Sequence, residues 1–374
     1  MTCRNNKIGK KGIHQGRFGF VFSLIFFVLS FTRCNNTPNK IEVERADDTL
    51  ESILKYYDAE YNHLFNETYP YQETNKVTYL ADTDTLQGKR VAYLWPTSGI
   101  FSGVNALLKS IKDQKYVEIL DEVIVPGLEN YYDEERVPAS YQSYIIQAGP
   151  SDRFYDDNIW LALDFLEAYQ LTSKGEYLQR SLQLWEFVLS GWDENLGGGI
   201  YWCEQKRKTK NTCSNAPASV LALKLFEATG DSSYFKWGKS IYTWTRENLQ
   251  DPEDQLYFDN ISLAGRVDER KYTYNSGQML QASVLLYRLT EEEVYLVDAQ
   301  KIAKSAISQF TEEFETPEGE KIQLFKNTGN WFNVILFRGY VELYEIDGDR
   351  QYIEIFRDNL NHVWNHVRNS KGLF

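Results

Sequence analysis

The first 33 residues contain no aspartate or glutamate, although the whole chain of 374 residues has 53 acidic residues. Basic residues, among them Lys10, Lys11 and Arg17, precede an apolar run over residues 18–31. A membrane-spanning helix needs about 20 apolar residues, so this run is too short to cross a bilayer. Its position at the extreme N-terminus predicts a signal peptide over residues 1–33, and hence an exported protein.

Cysteine is also scarce, with four residues in the chain. One of them, Cys34, follows the apolar run and precedes the polar residues 35–39, which resembles a bacterial lipoprotein signal cleaved before Cys34 and acylated there. Residues 30–33 depart from the usual small-residue pattern, so a simple leader with an incidental cysteine is the alternative. The prediction is a lipoprotein of a bacterial cell envelope, in the periplasm or at the cell surface, that touches the membrane only through its lipid.

Positive charge is in deficit, because 40 Lys and Arg residues face 53 Asp and Glu residues and give a net charge of −13. Residues 1–33 carry six of the basic residues and no acidic residue, so the net charge without them is −19. Binding to phosphate requires clustered Lys and Arg. The composition therefore disfavours nucleic acid and anionic lipid headgroups as partners, and it favours a neutral substrate.

No proline-, glycine- or serine-rich segment divides the rest of the chain, which predicts a linker over residues 34–45 and one domain over residues 46–374. Cys203 and Cys213 are the only cysteines in that domain. They are close enough in sequence to close one loop with a disulfide in an oxidising compartment. Two free thiols are the alternative, and the sequence leaves both open.

Helical periodicity dominates this domain, as in Leu50, Ile53, Leu54 and Tyr57, which follow the i, i+3, i+4, i+7 pattern. The sequence therefore predicts an all-α protein with eleven helices. Their predicted ranges are 43–66, 99–112, 115–133, 156–173, 176–191, 216–229, 232–249, 275–289, 293–311, 330–346 and 349–368.

Short turns alternate with long loops that are rich in glycine and aromatic residues, such as residues 192–201. After the long loops, new helices open at Asp156, Asn215 and Asn275, at intervals of 59 and 60 residues. Such a repeat predicts a toroid of helical hairpins in which the long loops gather at one mouth, where a ligand would bind. An open solenoid is the alternative, and the dissimilar aromatic loops argue against it.

Two adjacent acids, Asp156 and Asp157, open the fourth predicted helix. Acids at a helix start often serve only as an N-cap and as favourable charge at the positive end of the helix dipole. This pair lies at the predicted mouth, beside Tyr155 and Trp160, the type of side chain on which sugar rings stack. Like charges this close cannot both ionise easily, so one carboxyl should keep its proton while the other loses it. Glycoside hydrolysis needs such an acid and such a base, and carboxyls roughly 5 Å apart favour retention of configuration.

Four sequence blocks, in the order 156–163, 197–202, 210–217 and 273–278, resemble glycoside hydrolase family 76. The blocks read Asp-Asp-Asn-Ile-Trp-Leu-Ala-Leu, Gly-Gly-Gly-Ile-Tyr-Trp, Lys-Asn-Thr followed by Ser-Asn-Ala-Pro, and Thr-Tyr-Asn-Ser-Gly-Gln. The resemblance extends over roughly residues 50 to 374. It implies an (α/α)6 helical toroid and a retaining endo-α-1,6-mannanase that acts on mannan or mannooligosaccharides without a metal or other cofactor. It also implies Asp156 as nucleophile and Asp157 as general acid/base.

Further residues around the predicted mouth are candidates for substrate binding. Asn215 and Asn275 each begin an inner helix and could donate to sugar hydroxyls, and the alternative for both is an ordinary N-cap. Asp259 resembles a family acid that binds a pair of mannose hydroxyls, and the alternative is a turn residue. Asp164 follows Asp157 by two helical turns and is a candidate for supporting that acid. The candidate stacking residues are Tyr155, Trp202, Tyr274 and Trp331.

Histidine is scarce, with four residues in the chain, and this bears on one of the rival activities. A sugar epimerase on a helical toroid needs a base near its centre, whereas His14 lies in the leader and His63, His362 and His366 lie in helices predicted to be outer. A terpenoid synthase needs a third aspartate at the position of Trp160, and an enzyme for acidic sugars needs a basic cleft. The remaining alternatives are a non-catalytic surface glycan-binding protein and a transglycosylase on the same toroid.

Eleven predicted helices are one fewer than six hairpins contain. Residues 369–374 resemble the start of a long loop, and elsewhere such a loop precedes an inner helix. The expectation is therefore a C-terminally truncated toroid that lacks its last inner helix, with apolar faces on the first and tenth helices left without a closing neighbour.

Replacing Cys34 by serine removes the predicted acyl acceptor, so the Cys34→Ser variant should move from the membrane fraction to the soluble fraction of expressing cells. Immunoblots of fractions from wild-type and variant cells, prepared in parallel, measure this. A variant that stays with the membrane would show that Cys34 is not the point of attachment.

Overall fold

The structure is a computed structural model that describes residues 40–71, 90–326 and 330–374. The predicted signal peptide, Cys34 and the first half of the predicted linker lie outside these residues. Most described residues are helical, and no described helix is long and apolar enough to cross a membrane.

Eleven helices lie within the described ranges, as the sequence predicts. The third of them has three segments, of which the middle one is a π-helical turn. The helices are α1 (Lys40–Tyr56), α2 (Leu94–Ile111), α3 (Gln114–Ile119, Leu120–Ile124 and Val125–Glu129), α4 (Tyr155–Thr172), α5 (Gly175–Ser190), α6 (Thr212–Thr229), α7 (Ser232–Leu249), α8 (Thr273–Thr290), α9 (Glu293–Phe310), α10 (Asn330–Asp347) and α11 (Gln351–His366).

Seven short strands within the described loops form three small antiparallel sheets, which the helical periodicity did not predict. β1 pairs with β2, β4 pairs with both β3 and β5, and β6 pairs with β7. The strands are β1 (Tyr132–Asp133), β2 (Ser140–Tyr141), β3 (Thr209–Asn211), β4 (Phe258–Ser262), β5 (Val267–Lys271), β6 (Thr311–Glu315) and β7 (Lys321–Phe325).

The first two helices differ most from their predicted bounds. α1 begins at Lys40, inside the predicted linker, and ends at Tyr56 rather than at residue 66, because Glu60, Asn62 and His63 have positive φ, which no right-handed helix contains. α2 begins five residues before its predicted start, because Pro96 fits the first turn of a helix, where no intrahelical N–H bond is needed.

The helices form a toroid of hairpins with an inner and an outer ring. The inner helices α2, α4, α6, α8 and α10 pack against one another in that order, and each outer helix packs against the inner helix of its own hairpin. α4, α6 and α8 are buried on nearly all sides, as expected for helices enclosed by others. The fold therefore agrees with the predicted helical toroid.

Polar contacts join the first and last outer helices of the described chain. Arg45 of α1 donates to Asn361 of α11 at 2.7 Å and lies over the ring of Trp364, while Arg357 of α11 bonds Glu42 of α1 at 3.0 Å. These contacts bring the two ends of the outer ring together. The predicted lack of a last inner helix stays a prediction.

Two glycines allow α8 and α10 to pack closely. A Cβ on Gly277 would lie 2.4 Å from the backbone Cα of Leu336, and a Cβ on Gly339 would lie 2.7 Å from the carbonyl oxygen of Gly277. Both distances are shorter than van der Waals contact with backbone atoms, which cannot rotate away. The spacing of the two inner helices therefore depends on these positions having no side chain.

The Gly277→Ala substitution should destabilise the protein by about 1–3 kcal/mol, because it forces two packed helices apart. Gly103→Ala is the matched control, since a Cβ at that position in α2 meets no atom within 4 Å and alanine is the better helix former. Urea unfolding of both variants and the wild type provides the measurement. Equal stability of the two variants would show that the contact between α8 and α10 can relax at little cost.

Candidate active site

A cleft of about 510 Å³ opens where the N-terminal ends of the inner helices meet the long loops. The second residue of each described inner helix lines it. These residues are Trp95 of α2, Asp156 of α4, Cys213 of α6, Tyr274 of α8 and Trp331 of α10. The cleft is thus built by one helical position repeated around the ring, at the mouth that the sequence predicts.

The sheet of β3, β4 and β5 forms a further wall of the cleft. β3 leads directly into α6, and the residue after it, Thr212, donates its hydroxyl to the carbonyl of Phe258 in β4. Asn211 and Asn260 are paired across β3 and β4. This sheet brings Asp259 and Arg270 to the cleft beside the helix ends.

Asp156 and Asp157 are the second and third residues of α4, and both line the cleft. Asp157 is only 9% exposed. Asp156 accepts a hydrogen bond at Oδ2 from the indole Nε1 of Trp202, at 3.2 Å. The carbonyl of Trp202 in turn accepts from the backbone N–H of Tyr155 at 2.9 Å, so the indole and the acidic pair are held by the same segment.

Burial raises the pKa of both carboxyls above the ordinary value of 3.8. The charge of Asp156 raises the pKa of Asp157 further. For Asp156 the effect of burial is partly offset by the Cys213 thiol, the Trp202 indole and backbone N–H groups at the helix start. Asp156 therefore ionises first and Asp157 keeps its proton, which yields a base and an acid from two identical side chains.

The segment that carries the pair is held by buried polar contacts on both sides. Asn158 accepts from the backbone N–H of Tyr141 at 2.8 Å and donates to the carbonyls of Tyr141 and Phe154, both at 2.9 Å. Arg153, 1% exposed, donates from Nε to Glu204 at 2.7 Å. The acidic pair thus projects from a helix start that has little freedom to move.

Asn215 does not line the cleft, and the structure gives no support to its predicted contact with substrate. It is completely buried, its Oδ1 accepts from Ile200 N–H at 2.7 Å, and its Nδ2 donates to the carbonyls of Ile200 and Asn211. All its donors and its acceptor are committed to backbone groups, so none remains for a sugar. As the fourth residue of α6, it repeats the role of Asn158 in α4 and is not an N-cap.

Asn275 and Tyr155 are completely buried and do not line the cleft, and their predicted contacts with substrate stay predictions. Burial raises the pKa of Asp259, and Asn275 is among the neighbours that partly offset this rise. The ring of Tyr155 stacks on Phe187 with centroids 4.7 Å apart. Both residues support the walls of the cleft from behind.

Asp259 lines the cleft, as the sequence predicts, and two neighbours hold it. Asn260 donates to its Oδ2 at 3.0 Å, and Arg270 approaches the same oxygen at 3.5 Å. Arg270 also pairs with Asp268 at 2.6 Å. The arginine is therefore largely neutralised, which keeps the cleft suited to an uncharged ligand.

The predicted stacking residues Trp202, Tyr274 and Trp331 all line the cleft. Three aromatic residues that the sequence analysis did not single out lie beside them. Trp95 meets Trp331 edge-on at 6.5 Å between centroids, and Phe332 and Tyr272 flank Tyr274 at 4.3 Å and 5.7 Å. The missed aromatic residues are Trp95, Phe332 and Tyr272, together with Tyr93 and Phe154. Each lies in the first turn of an inner helix or directly before it, and this position was the signal.

Asp164 does not support Asp157, contrary to the prediction. It accepts from the Ser102 hydroxyl of α2 at 2.8 Å and 2.6 Å and lies 3.9 Å from Arg338 of α10. It therefore connects three inner helices below the cleft. The two cysteines of the domain, Cys203 and Cys213, are both free thiols, so the alternative without a disulfide is correct.

Comparison with known proteins adds to this geometry. Residues 43–365 match the family model for glycosyl hydrolase family 76. The chain is similar to a family 76 mannosidase from Bacteroides thetaiotaomicron VPI-5482, with a TM-score of 0.77 and 29% identity over 88% of each chain. It is also similar to an inactive variant of an alpha-1,6-mannanase from Salegentibacter sp. HEL1_6 in complex with alpha-1,6-mannotetrose, with a TM-score of 0.69 and 26% identity over 88% of this chain and 90% of that one.

Among curated relatives, a mannan endo-1,6-alpha-mannosidase of Candida glabrata is 29% identical over 132 residues, which are 33% of this chain and 30% of that protein. The chain spans between 30% and 50% of the length of the first three curated relatives it matches. The family match covers most of the domain, and the toroid and the adjacent acids agree with it. The chain therefore belongs to glycosyl hydrolase family 76.

Proposed function

We propose that this protein is a retaining endo-α-1,6-mannanase that hydrolyses the backbone of α-1,6-mannan, with Asp156 as nucleophile and Asp157 as general acid/base. The observation that carries the proposal is the pair of adjacent buried carboxyls in the cleft, of which Asp157 holds its proton more tightly. The inactive Salegentibacter alpha-1,6-mannanase that resembles this chain has two consecutive aspartates replaced by alanine, which supports the same assignment.

In the first step, the Asp156 carboxylate attacks the anomeric carbon while Asp157 gives its proton to the glycosidic oxygen. The bond between carbon and oxygen breaks, the outgoing chain leaves as an alcohol, and an ester joins the sugar to Asp156. In the second step, Asp157 takes a proton from water, whose oxygen attacks the same carbon and breaks the ester. Two inversions at one carbon give net retention.

The mutual repulsion of the two acids makes this exchange of roles possible. While Asp156 is ionised, its charge raises the pKa of Asp157 and keeps the acid protonated. Once Asp156 is esterified, that charge is gone and the pKa of Asp157 falls. Asp157 therefore becomes an ionised base in the step that needs one, with no other change in the site.

The walls of the cleft suit a neutral sugar chain. Trp202, Tyr274 and Trp331 offer aromatic faces for pyranose rings, and Asp259 offers a carboxylate to sugar hydroxyls. A mannan or mannooligosaccharide needs no positively charged subsite, in agreement with the acidic balance of the chain. We also propose that the protein meets this substrate outside the cytoplasm as an envelope lipoprotein, on the basis of its N-terminal sequence.

The Asp156→Asn and Asp157→Asn variants should each lose mannan cleavage, the first by about six orders of magnitude, as when a serine nucleophile is removed, and the second by about two to four. Release of oligosaccharides from linear α-1,6-mannan measures the loss, and circular dichroism verifies the fold. Asp113→Asn is the matched control, because Asp113 caps α3 at the surface and asparagine caps equally well. Near-wild-type turnover in either active-site variant would remove that residue from the mechanism.

Retention predicts that the first sugar released carries the α-anomeric configuration. Proton NMR recorded within the first minutes of hydrolysis distinguishes the α- from the β-anomer before mutarotation mixes them. A β-anomer as first product would replace the covalent mechanism with direct attack by water, while leaving the assignment of the substrate intact.

A further inference from the structure

We propose that Trp202 is a positioning residue for the reaction: the N–H of its indole holds the attacking oxygen of Asp156 toward the substrate. This role is separate from the stacking on sugar rings for which the sequence singles out this residue. The inference rests on the proposed function in one respect, namely that Asp156 acts as the nucleophile. The hydrogen bond between the two side chains does not depend on that role, so it can be tested separately.

The backbone around Trp202 is bonded to the segments on both of its sides. Its carbonyl accepts from the N–H of Tyr155 at 2.9 Å, and its own N–H donates to the carbonyl of Thr209 in β3 at 3.3 Å. The next residue, Cys203, pairs with Phe154 as an antiparallel bridge. Trp202 therefore lies in an extended segment between β3 and the start of α4, and its position relative to Asp156 is set by main-chain bonds.

The side chain of Trp202 is supported by the same helix start that carries the acid. Its ring packs against the ring of Phe154, with centroids 4.9 Å apart, and Phe154 directly precedes α4. From this position the indole Nε1 donates to Oδ2 of Asp156 at 3.2 Å. A donor that is fixed before the substrate arrives needs no reorganisation during the reaction.

The bond also determines which oxygen of Asp156 attacks. Oδ1 is buried away from solvent, whereas Asp156 as a whole is half-buried and lines the cleft. Oδ2 is therefore the oxygen on the cleft side, and it is the one that accepts from the indole. The terminal torsion of an aspartate is broad, so a carboxylate turns unless a partner holds it. The indole thus keeps Oδ2 directed at the cleft.

The surroundings of Asp156 make an uncharged donor valuable. Burial raises the pKa of Asp156 to about 6, and the indole is among the groups that limit this rise. Arg270 is the one cation that lines the cleft within the described chain, and it is paired with Asp259 and Asp268. The other titratable groups that line the cleft are all acids, namely Asp157, Asp259, Cys213, Tyr93, Tyr272 and Tyr274.

The first experiment compares Trp202→Phe with the wild type on linear α-1,6-mannan. Phenylalanine keeps an aromatic face and removes the N–H, so kcat should fall about tenfold while KM changes by less than about twofold. Asp156 attacks only when ionised, and its pKa sets the acid limb of kcat/KM against pH. Loss of a donor to the charged form should move this limb to higher pH by about one unit.

Trp331→Phe is the matched control, because Trp331 also lines the cleft and its indole does not bond Asp156 in the described chain. The same chemical change at Trp331 should act on KM and leave the acid limb in place. A raised KM with an unmoved acid limb in Trp202→Phe would reduce Trp202 to a stacking platform and overturn the positioning role.

The second experiment observes the hydrogen bond without catalysis. Labelling with 15N-tryptophan gives one indole N–H signal in NMR spectra for each of the nine tryptophans. The signal absent from Trp202→Phe, or from Trp202→Tyr if the first variant does not fold, belongs to Trp202. Because a charged acceptor deshields the proton, this signal should move to lower chemical shift in Asp156→Asn and as the wild type is acidified through the pKa of Asp156.

The outcomes separate this inference from the proposed function. A Trp202 signal that stays in place both in Asp156→Asn and on acidification shows that the bond is absent, and the inference fails while the proposed nucleophile stands. A signal that moves, combined with full mannan cleavage by Asp156→Asn, shows that the bond exists but that Asp156 is not the nucleophile. A moving signal, lost cleavage in Asp156→Asn and a shifted acid limb in Trp202→Phe together support the positioning role.

Discussion

The active centre depends on the amide of Asn158, which ties the first turn of α4 to the loop before it. Three buried hydrogen bonds to backbone groups of Tyr141 and Phe154 use both ends of this side chain. Backbone N–H and C=O groups removed from water must find such partners, so the tie fixes the helix start against the loop. The acidic pair lies within this fixed turn, and Asn215 provides the same tie for α6.

Burial has opposite consequences for the scaffold and for the chemistry. It makes the tie of Asn158 rigid, because a broken bond there would leave polar groups without water. The same burial raises the pKa of Asp156 and Asp157. The hydrogen-bond donors around the two carboxyls are unequal. Trp202 and Cys213 stabilise the negative charge of Asp156, whereas the charge of Asp156 repels a second charge on Asp157. The difference in proton affinity between the two carboxyls arises from these surroundings and not from the residues themselves.

The number of helices, their pairing and the place of the acidic pair could be predicted from sequence, because each depends on patterns within one segment. The starts of α2, α6 and α8 could not. Asn215 and Asn275 look like helix openings, yet the helices begin three and two residues earlier, where the chain leaves a strand. The sequence did not predict β5, because residues 267–271 are mostly charged and owe their extended form to pairing with β4. Trp95 was missed because the helix predicted from residue 99 began after Pro96, whereas the first turn of α2 includes this proline.

Within the first turn of an inner helix, one position lines the cleft and another holds the helix start in place. The second residue lines the cleft, and in α4 and α6 the fourth residue, an asparagine, fixes the turn to its loop. Trp95, Asp156, Cys213, Tyr274 and Trp331 differ in size, charge and polarity, although all five occupy the second position of an inner helix. Substitutions at one position per hairpin can therefore change the specificity of such a toroid, while the hydrogen bonds that hold its helices in place stay the same.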